Sequence, residues 1–283
     1  RTHGQTRAVG MEQGAVGDHK TEGIGVMQFI WDHTFGKQEH QDLVVCKPMA
    51  IFEPDDEAEA IEHGWLALDT PVGKHKEVFY QSRSTRVDLQ SYRPRYKEHT
   101  YQGKQLGLKV IDASEMVKLL NLPGIYKEYM KRKKFTADYD PFVNYHARDQ
   151  FMVFYLETAD NIVAFTKQKR YKYQEDQYST IDTFDSKDLA GLESCIHANT
   201  IPISDITLDM ELQWAQDNYV GNFYMGSGYE TSSEYKAKYK GFEWWTGTEW
   251  STNKRLYKRL CRRDSKLSDF SALGNLSLIQ DNL

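Results

Sequence analysis

The sequence has few cysteines and no long apolar segment. Its three cysteines, Cys46, Cys195 and Cys261, lie far apart and form no Cys-x-x-Cys pair. This spacing argues against a disulfide scaffold or a zinc knuckle and indicates a reducing compartment. No apolar run approaches the roughly 20 residues needed to cross a membrane, and no secretory signal is recognisable. We therefore expect a soluble, cytoplasmic protein.

An excess of positive charge is also lacking. Lysine and arginine number 36 against 41 aspartate and glutamate residues, for a formal net charge of −5. Any binding to a nucleic acid must therefore come from a local basic patch. The nine histidines show no His-x-His or His-Glu-x-x-His spacing, and there is no Gly-x-Ser-x-Gly motif. We expect neither a metal site nor serine-hydrolase chemistry.

The 283 residues suffice for one large domain or two small ones. Residues 1–26 are rich in glycine and lack apolar periodicity, so we expect a disordered or non-native leader, with Met11 or Met27 as the start. The next region, 27–113, has an α+β pattern. Its expected elements are a strand within 42–52, a helix over 55–64 that ends at Gly64, and a strand pair over 78–83 and 85–89.

Residues 114–251 alternate between helical and strand patterns. The expected order is helices over 114–121 and 124–134, antiparallel strands over 149–184, a helix over 205–218 and a strand over 222–226. This order predicts an α/β domain with a GNAT-like, mostly antiparallel β-sheet flanked by helices. Residues 252–283 would form a basic C-terminal helix and tail.

The stretch 219–251 carries the densest pattern. Gly226 and Gly228 follow a strand, where the backbone can approach a ligand closely. After them, three tyrosines alternate with three lysines: Tyr229, Tyr235, Tyr239 and Lys236, Lys238, Lys240. In an extended chain the two sets would face opposite sides. A cationic ridge beside aromatic rings suits a nucleotide or the phosphate of an acyl donor; the alternative is an edge strand protected by lysines.

A second basic pattern follows at helical spacing. Six cations recur on one broad face of an expected helix, with Leu256 and Leu260 turned elsewhere: Lys254, Arg255, Lys258, Arg259, Arg262 and Arg263. Such a stripe is typical of phosphate contact in nucleic-acid binding. The alternative is a solvated tail helix. The run 131–134 is a second, weaker basic patch.

Several segments resemble the arginyl-tRNA–protein transferase family, in collinear order over about 60–251. The closing motif is Tyr-Met-Gly at 224–226, Tyr-Lys-x-x-Tyr at 235–239 and Phe-Glu at 242–243. Further likenesses are Gly64-Trp65, YQSRSTRVDLQSYRPRYKEH at 80–99, LPGIYKEYMKRKKF at 122–135, the strands of 149–184 and DITLDMELQWAQDN at 205–218. The sequence departs from the family in lacking its N-terminal cysteines and in replacing its Cys-x-Lys by Ser232, Ser233 and Glu234.

The resemblance implies a transferase that moves an amino acid from aminoacyl-tRNA to an amine of a protein or peptide. The partners would be tRNA and that acceptor, with Arg83 and Arg86 as substrate-binding candidates in the N-terminal region. The stretch 195–206 contains no glycine, which disfavours the phosphate-cradling loop of CoA-dependent relatives, so no cofactor is expected. The alternatives are a GNAT-like acyltransferase that uses another donor on a small amine, and a catalytically inactive relative that binds RNA.

Aminoacyl transfer needs few catalytic groups on the enzyme because the ester donor is already activated. The site must align the amine, accept its proton and polarise the ester carbonyl. The candidates are the backbone at Gly226 for polarisation, Glu230 and Glu243 for proton acceptance, and Tyr224, Tyr229 and Tyr235 for positioning. Lys236, Lys238, Lys240 and the helix at 254–262 are the donor-binding candidates. Each tyrosine has a core residue as its alternative interpretation.

Overall fold

The computed structural model describes most of the chain between residues 28 and 264. The described residues are 28–32, 35–38, 41–44, 47–68, 78–81, 83–101, 103–112, 122–133, 142, 149–158, 161–173, 175–185, 202–219, 221–228 and 231–264. The predictions for 1–26, 114–121 and 265–283 lie outside them. None of the described helices is long and apolar enough to cross a membrane.

Two small sheets and one helix come first along the chain. Strands β2 (Phe35–Gln38) and β3 (Gln41–Val44) form a hairpin. An antiparallel four-stranded sheet has the order β1-β4-β6-β5, with β1 at Gln28–Asp32, β4 at Lys47–Ile51, β5 at Trp65–Leu68 and β6 at Val78–Gln81. Helix α1 (Glu57–Glu62) precedes β5; His63 is its C-cap, and Gly64 follows with a φ of +78°. The helix predicted within 55–64 is present, with its ends at 57 and 62.

A nine-stranded sheet organises the rest of the molecule. Its strands are β7 (Ser84–Asp88), β8 (Thr100–Tyr101), β9 (Lys104–Asp112), β10 (Asp149–Leu156), β11 (Ile162–Tyr173), β12 (Glu175–Asp185), β13 (Asn222–Ser227), β14 (Phe242–Trp245) and β15 (Trp250–Ser251). They lie in the order β15-β14-β7-β13-β12-β11-β10-β9-β8. All neighbours are antiparallel except β12 and β13, which are parallel.

The remaining elements are α2 (Leu122–Lys133), α3 (Ile203–Asn218), a 3₁₀ helix (Thr231–Lys238) and α4 (Lys254–Asp264). Helix α3 connects β12 to the parallel strand β13, which is the crossover that parallel strands require. The fold class predicted from the sequence is confirmed, because the molecule is a mixed α/β protein with a mostly antiparallel sheet, consistent with a GNAT-like fold.

The sheet carries apolar layers on both faces. On one face, α3 and α4 pack through residues such as Leu212 and Leu260 against Val87 and Phe223, and α3 also packs through Ile206 against Met152. On the other face, α1 packs near Tyr171 and Tyr224, and α2 packs on Phe151 and Phe165. A central strand such as β10 is buried on both sides because other elements cover each face of the sheet there.

Two predictions about pairing and conformation are wrong. The strands at 78–83 and 85–89 do not pair with each other: β6 lies in the four-stranded sheet, whereas β7 lies between β13 and β14. The tyrosine and lysine alternation over 229–240 does not form an extended strand, since 231–238 is a 3₁₀ helix. From this helix, Lys236 reaches inward to carbonyl groups of β13.

In addition, β7, β8 and β9 pair within the large sheet, which therefore crosses the predicted boundary at 113–114.

Candidate active site

Strands β12 and β13 diverge at their C-terminal ends. They pair only at Tyr178 with Phe223 and at Ser179 with Tyr224, although β12 continues to Asp185 and β13 to Ser227. The pairing of β13 with β7 is also irregular between Tyr224 and Ser227. In α/β sheets, ligands bind beyond the carboxyl ends of parallel strands where the connections diverge. We call the gap between the C-terminal ends of β12 and β13 the opening. Helix α3 is the next described element after β12.

The bulge of β13 at the opening is held from inside the protein. Lys236 Nζ donates hydrogen bonds to the carbonyl oxygens of Met225 and Ser227, each at 2.6 Å. Thr85 Oγ1 donates to the carbonyl oxygen of Gly226 at 2.7 Å. Gly226 adopts a φ of +75°, and a Cβ there would have Lys236 Nζ at 4.0 Å as its nearest neighbour. Glycine is therefore needed at 226 for its backbone conformation rather than for space.

A polar cluster lies beside the opening, on the face of the sheet that α1 covers. We call it the Arg86 cluster: Glu62, Arg86, Tyr224, Glu243 and Trp250. Arg86 Nε donates to Glu243 Oε2 at 2.7 Å, and another Arg86 nitrogen donates to Glu62 Oε2, also at 2.7 Å. The guanidinium carbon of Arg86 lies 4.0 Å from the centre of the Trp250 ring. Trp250 Nε1 donates to the backbone carbonyl of Glu62 at 2.7 Å.

The protonation of this cluster follows from its burial and charge. Burial opposes the charge of Arg86, but the carboxylates of Glu62 and Glu243 favour it, and the pKa of Arg86 is raised. Burial, reinforced by Glu62, raises the pKa of Tyr224 well above its ordinary value, so its hydroxyl stays protonated at neutral pH. One guanidinium and two carboxylates sum to a charge of −1, and the carboxyl side chains retain 20% and 21% exposure. The cluster can therefore hold an amine and accept its proton.

Helix α4 is anchored on the residues that directly follow the bulge. Cys261 Sγ donates to the carbonyl oxygen of Gly228 at 3.3 Å, and Arg83 donates to the same oxygen at 3.2 Å and to Asp264. A Cβ at Gly228 would lie 2.6 Å from the Tyr257 ring, so the helix docks closely enough to require glycine. Arg83, a predicted substrate-binding residue, lies here within a packing contact between β7 and α4.

The outward side of α4 carries the cations that the sequence pattern singled out. Lys254 donates to the carbonyl oxygen of Tyr239, Arg262 pairs with Glu234 and Arg263 with Asp264. Burial, together with Lys258, lowers the pKa of Lys254. Within the described part of the chain, three cations of α4 make neither a salt bridge nor a side-chain hydrogen bond: Arg255, Lys258 and Arg259. Tyr257, Leu260 and Cys261 form the buried side, as the helical spacing predicts for Leu260.

The other predicted site residues are dispersed. Lys238 Nζ lies 3.0 Å from Asp205 at the start of α3, Lys240 is exposed, and Tyr235 is 36% exposed. Tyr229 and Glu230 lie outside the described residues. The structure thus brings Arg86, Tyr224 and Glu243 into one cluster and Gly226 and Lys236 into one bulge. Among the described residues, no group of three or more His, Cys, Asp or Glu could hold a metal ion.

Sequence reasoning missed Glu62 and Trp250, which complete the Arg86 cluster from distant parts of the chain. It also missed Asp209, whose side chain is fully buried. Asp209 accepts hydrogen bonds from the Tyr92 hydroxyl at 2.6 Å and from the backbone N–H of Arg95 at 3.0 Å, and it lies 3.2 Å from His99 Nε2. A carboxylate between Leu208 and Met210 in an apolar helical stripe was the available signal.

Comparison with known proteins gives distant likenesses. No protein-family model matches this sequence, and no curated protein matches it. Among solved structures, the chain is similar to the C-terminal domain (DUF2156) of an Agrobacterium fabrum protein assigned provisionally as a lysylphosphatidylglycerol synthetase, with 12% identity and a TM-score of 0.39 over 62% of this chain and 52% of that chain. It is also similar to a conserved protein of unknown function from Staphylococcus epidermidis, with 10% identity and a TM-score of 0.29 over 68% and 66% of the two chains.

This chain therefore spans about half the length of the first structure and just under two thirds of the second. The fold class rests on the strand order and register described above, and neither likeness adds an argument about function.

Proposed function

We propose that this protein is an aminoacyl-tRNA-dependent transferase that adds an amino acid to an amine of a protein or peptide. The observation that carries the proposal is the anchoring of α4 at Gly228, two residues beyond the Gly226 bulge. A basic surface and an opening in the sheet are thereby parts of one packed unit. Phosphate contacts on α4 would place the end of a bound tRNA beside the opening.

The three unpaired cations of α4 supply the donor-binding part of the proposal. Arg255 and Arg259 are exposed and Lys258 is half-buried, so all three can contact phosphate groups. The acidic net charge of the whole chain, −5, does not oppose this contact, because exposed charges beyond roughly 8–10 Å are largely screened at physiological ionic strength.

The Arg86 cluster supplies the chemical part. In the proposed reaction the amine nitrogen attacks the ester carbonyl, a C–N bond forms, the ester C–O bond breaks and the tRNA hydroxyl leaves. The attacking nitrogen gives up a proton to a carboxylate, and the leaving oxygen takes one up. Tyr224 lies on β13 directly beside the opening, whereas Glu243 lies two strands away on β14. We therefore assign the proton path to the Tyr224 hydroxyl and the carboxylate of Glu62, with Arg86 and Glu243 as positioning residues.

The test is transfer of radiolabelled amino acids to acceptor peptides, with aminoacyl-tRNA and acetyl-CoA as parallel donors. We expect label in the peptide from aminoacyl-tRNA and none from acetyl-CoA, and we expect Glu62→Gln to lower the transfer rate by about 10²-fold or more if Glu62 accepts the proton. The matched control is Glu59→Gln on the same helix. Transfer from acetyl-CoA alone would favour an acyltransferase acting on small amines. Binding of tRNA with no transfer from either donor would favour an inactive RNA-binding protein.

A further inference from the structure

Helix α1 and the residues just before it form an acidic segment. Residues 53–62 contain six carboxylates and no lysine, arginine or histidine. Glu53 and Asp55 are exposed, and Asp56 is half-buried. Over the described part of the chain, these three carboxylates make neither a salt bridge nor a side-chain hydrogen bond. The charge of the segment is therefore not neutralised by the described residues.

The acidic segment continues into the Arg86 cluster. Helix α1 ends at Glu62, which together with Glu243 and Arg86 gives that cluster its charge of −1. The turn between β14 and β15 adds Glu249, which is exposed. The next residue, Trp250, donates a hydrogen bond to the backbone carbonyl of Glu62, so this turn lies against the end of α1. We call the combined set the acidic surface: Glu53, Asp55, Asp56, Glu62, Glu243 and Glu249.

The arginines that could bind an acidic acceptor beside this surface are already engaged. Arg86 is held between Glu62 and Glu243, with both distances at 2.7 Å. Arg83 donates to Asp264 and to the carbonyl oxygen of Gly228. An acidic side chain would have to break one of these internal pairs, and it would also meet the like charges of the acidic surface. A positively charged acceptor has neither cost.

A buried donor near the acidic surface also lacks an acceptor. The ring of Trp245 contacts those of His63 and Trp250, with centroids 6.5 and 5.4 Å apart. Its side chain is 7% exposed, and over the described residues Nε1 makes no hydrogen bond. A buried N–H without an acceptor is costly. A backbone carbonyl of a bound peptide would supply the acceptor, whereas an aliphatic amine would not.

The two faces of the nine-stranded sheet carry opposite charge. Helix α1 covers the face that bears the Arg86 cluster, whereas α4 packs on the other face and presents cations such as Arg255 and Arg259. Exposed charges more than about 8–10 Å apart are largely screened at physiological ionic strength, so each surface acts on its own ligand. Complementary charge sets which partner binds and how fast. A polyanionic donor and a cationic acceptor would thus be kept on separate faces.

We propose that the acceptor is a basic protein or peptide segment, with arginine or lysine residues close to the reacting amine, and that the acidic surface selects it. The inference rests on the proposed transfer reaction for the role of the amine, but binding of the segment can be measured without that reaction. The competing account is that the acidic surface serves only the solubility of the chain through its net charge.

Binding is measured by fluorescence anisotropy with short labelled peptides that differ only in carrying arginine, glutamine or glutamate at the same positions. Arginine adds charge without a second reactive amine. No tRNA is present, because it would itself bind a basic peptide. We expect the arginine peptide to bind at least several-fold more tightly than the other two, with an affinity that falls as salt rises.

A triple variant, Glu53→Gln, Asp55→Asn and Glu249→Gln, should weaken binding of the arginine peptide several-fold and leave the fold intact, because exposed charges contribute little to stability. The matched control removes three exposed carboxylates elsewhere, through Glu98→Gln, Asp112→Asn and Asp217→Asn, and should bind as wild type does. Equal binding of the arginine and glutamate peptides, or equal weakening by both triple variants, would overturn the proposal.

Transfer from aminoacyl-tRNA to the same peptides separates this inference from the proposed function. We expect the arginine peptide to have the lowest KM, and we expect the variant at 53, 55 and 249 to raise that KM while kcat changes little. Selective binding of the arginine peptide without label in any peptide would contradict the transferase and leave the acidic surface as a binding site. Label in all three peptides with one common KM would contradict the acceptor preference and leave the transferase.

Discussion

Single buried polar residues stabilise this fold where backbone N–H groups would otherwise have no hydrogen-bond acceptor. Asp209 joins α3 to the segment 92–99, since its carboxylate accepts hydrogen bonds from the Tyr92 hydroxyl and from the backbone N–H groups of Arg95 and Tyr96. Burial alone would raise the pKa of Asp209, but the hydrogen bonds from His99, Tyr92 and those N–H groups outweigh burial and lower it. The ionised form of Asp209 is therefore the form that the fold favours.

Replacing Asp209 with Asn tests this stabilisation. The folded-state pKa is below the unfolded value, about 3.9, so the contribution is present above about pH 4 and is lost as pH falls through the folded-state pKa. We expect Asp209→Asn to lower the free energy of unfolding by about 1–3 kcal/mol at pH 7, and by less at pH 3, as measured by urea unfolding. Asp217→Asn, exposed on the same helix, is the control. An equal difference at both pH values would contradict the assignment.

Among the elements, α4 combines an anchored side and an outward side. Tyr257, Leu260 and Cys261 are buried against the sheet, whereas Arg255 and Arg259 face water. Arg262 is also exposed, but it is already engaged, because it makes two hydrogen bonds to Glu234 in the 3₁₀ helix, at 2.7 and 2.9 Å. The cations available to a ligand are thus a subset of the six that share the sequence pattern.

Changing Arg255, Lys258 and Arg259 together to Ala tests the proposed role of α4 in binding tRNA. Each phosphate contact releases counterions, so the slope of log K against log salt should become less steep by about 2 for three lost contacts. The free energy of unfolding should change little because exposed charges contribute little to stability. The control variant changes three exposed lysines elsewhere: Lys97, Lys109 and Lys127. If both triple variants bind tRNA with the wild-type affinity and slope, α4 is a solvated helix.

At the scale of the whole molecule, one sheet gathers strands from both sides of the predicted boundary at 113–114. Strand β7 lies between β13 and β14, and Val87 on β7 is fully buried with Phe223 and Phe242 in one cluster. Without β7, the two strands that carry Tyr224 and Glu243 would have no shared neighbour. The candidate site is therefore inseparable from residues 84–88.

Truncation tests this dependence. We expect a fragment of residues 114–283 to lack a cooperative urea transition, because removing β7 exposes the apolar residues of β13 and β14 and leaves their backbone groups unpaired. A fragment of residues 28–283, which retains β7, is the control and should unfold cooperatively. A cooperative transition in the shorter fragment, followed by circular dichroism and tryptophan fluorescence, would show that 114–283 is an independent domain.

Local pattern was sufficient to predict several elements of the site. Alternation over 149–184 predicted the three antiparallel strands, and the spacing of Ile206, Met210 and Trp214 predicted α3. These predictions succeeded because apolar residues at strand or helix spacing, bounded by turn residues, are a local property that can be read directly from the sequence. The position of Gly226 after a strand likewise indicated a special backbone conformation, and its φ of +75° agrees.

Tertiary structure alone decided which residues meet. The alternating pattern predicts Lys236 on an outward ridge of an extended chain, but Lys236 lies in a 3₁₀ helix and donates hydrogen bonds to two carbonyl groups of β13. Glu62 and Trp250 join Arg86 from positions far apart in the chain. Side-chain period is a local property, whereas strand neighbours and their register are set by non-local pairing, so the sequence determined the elements and only the folded sheet determined the site.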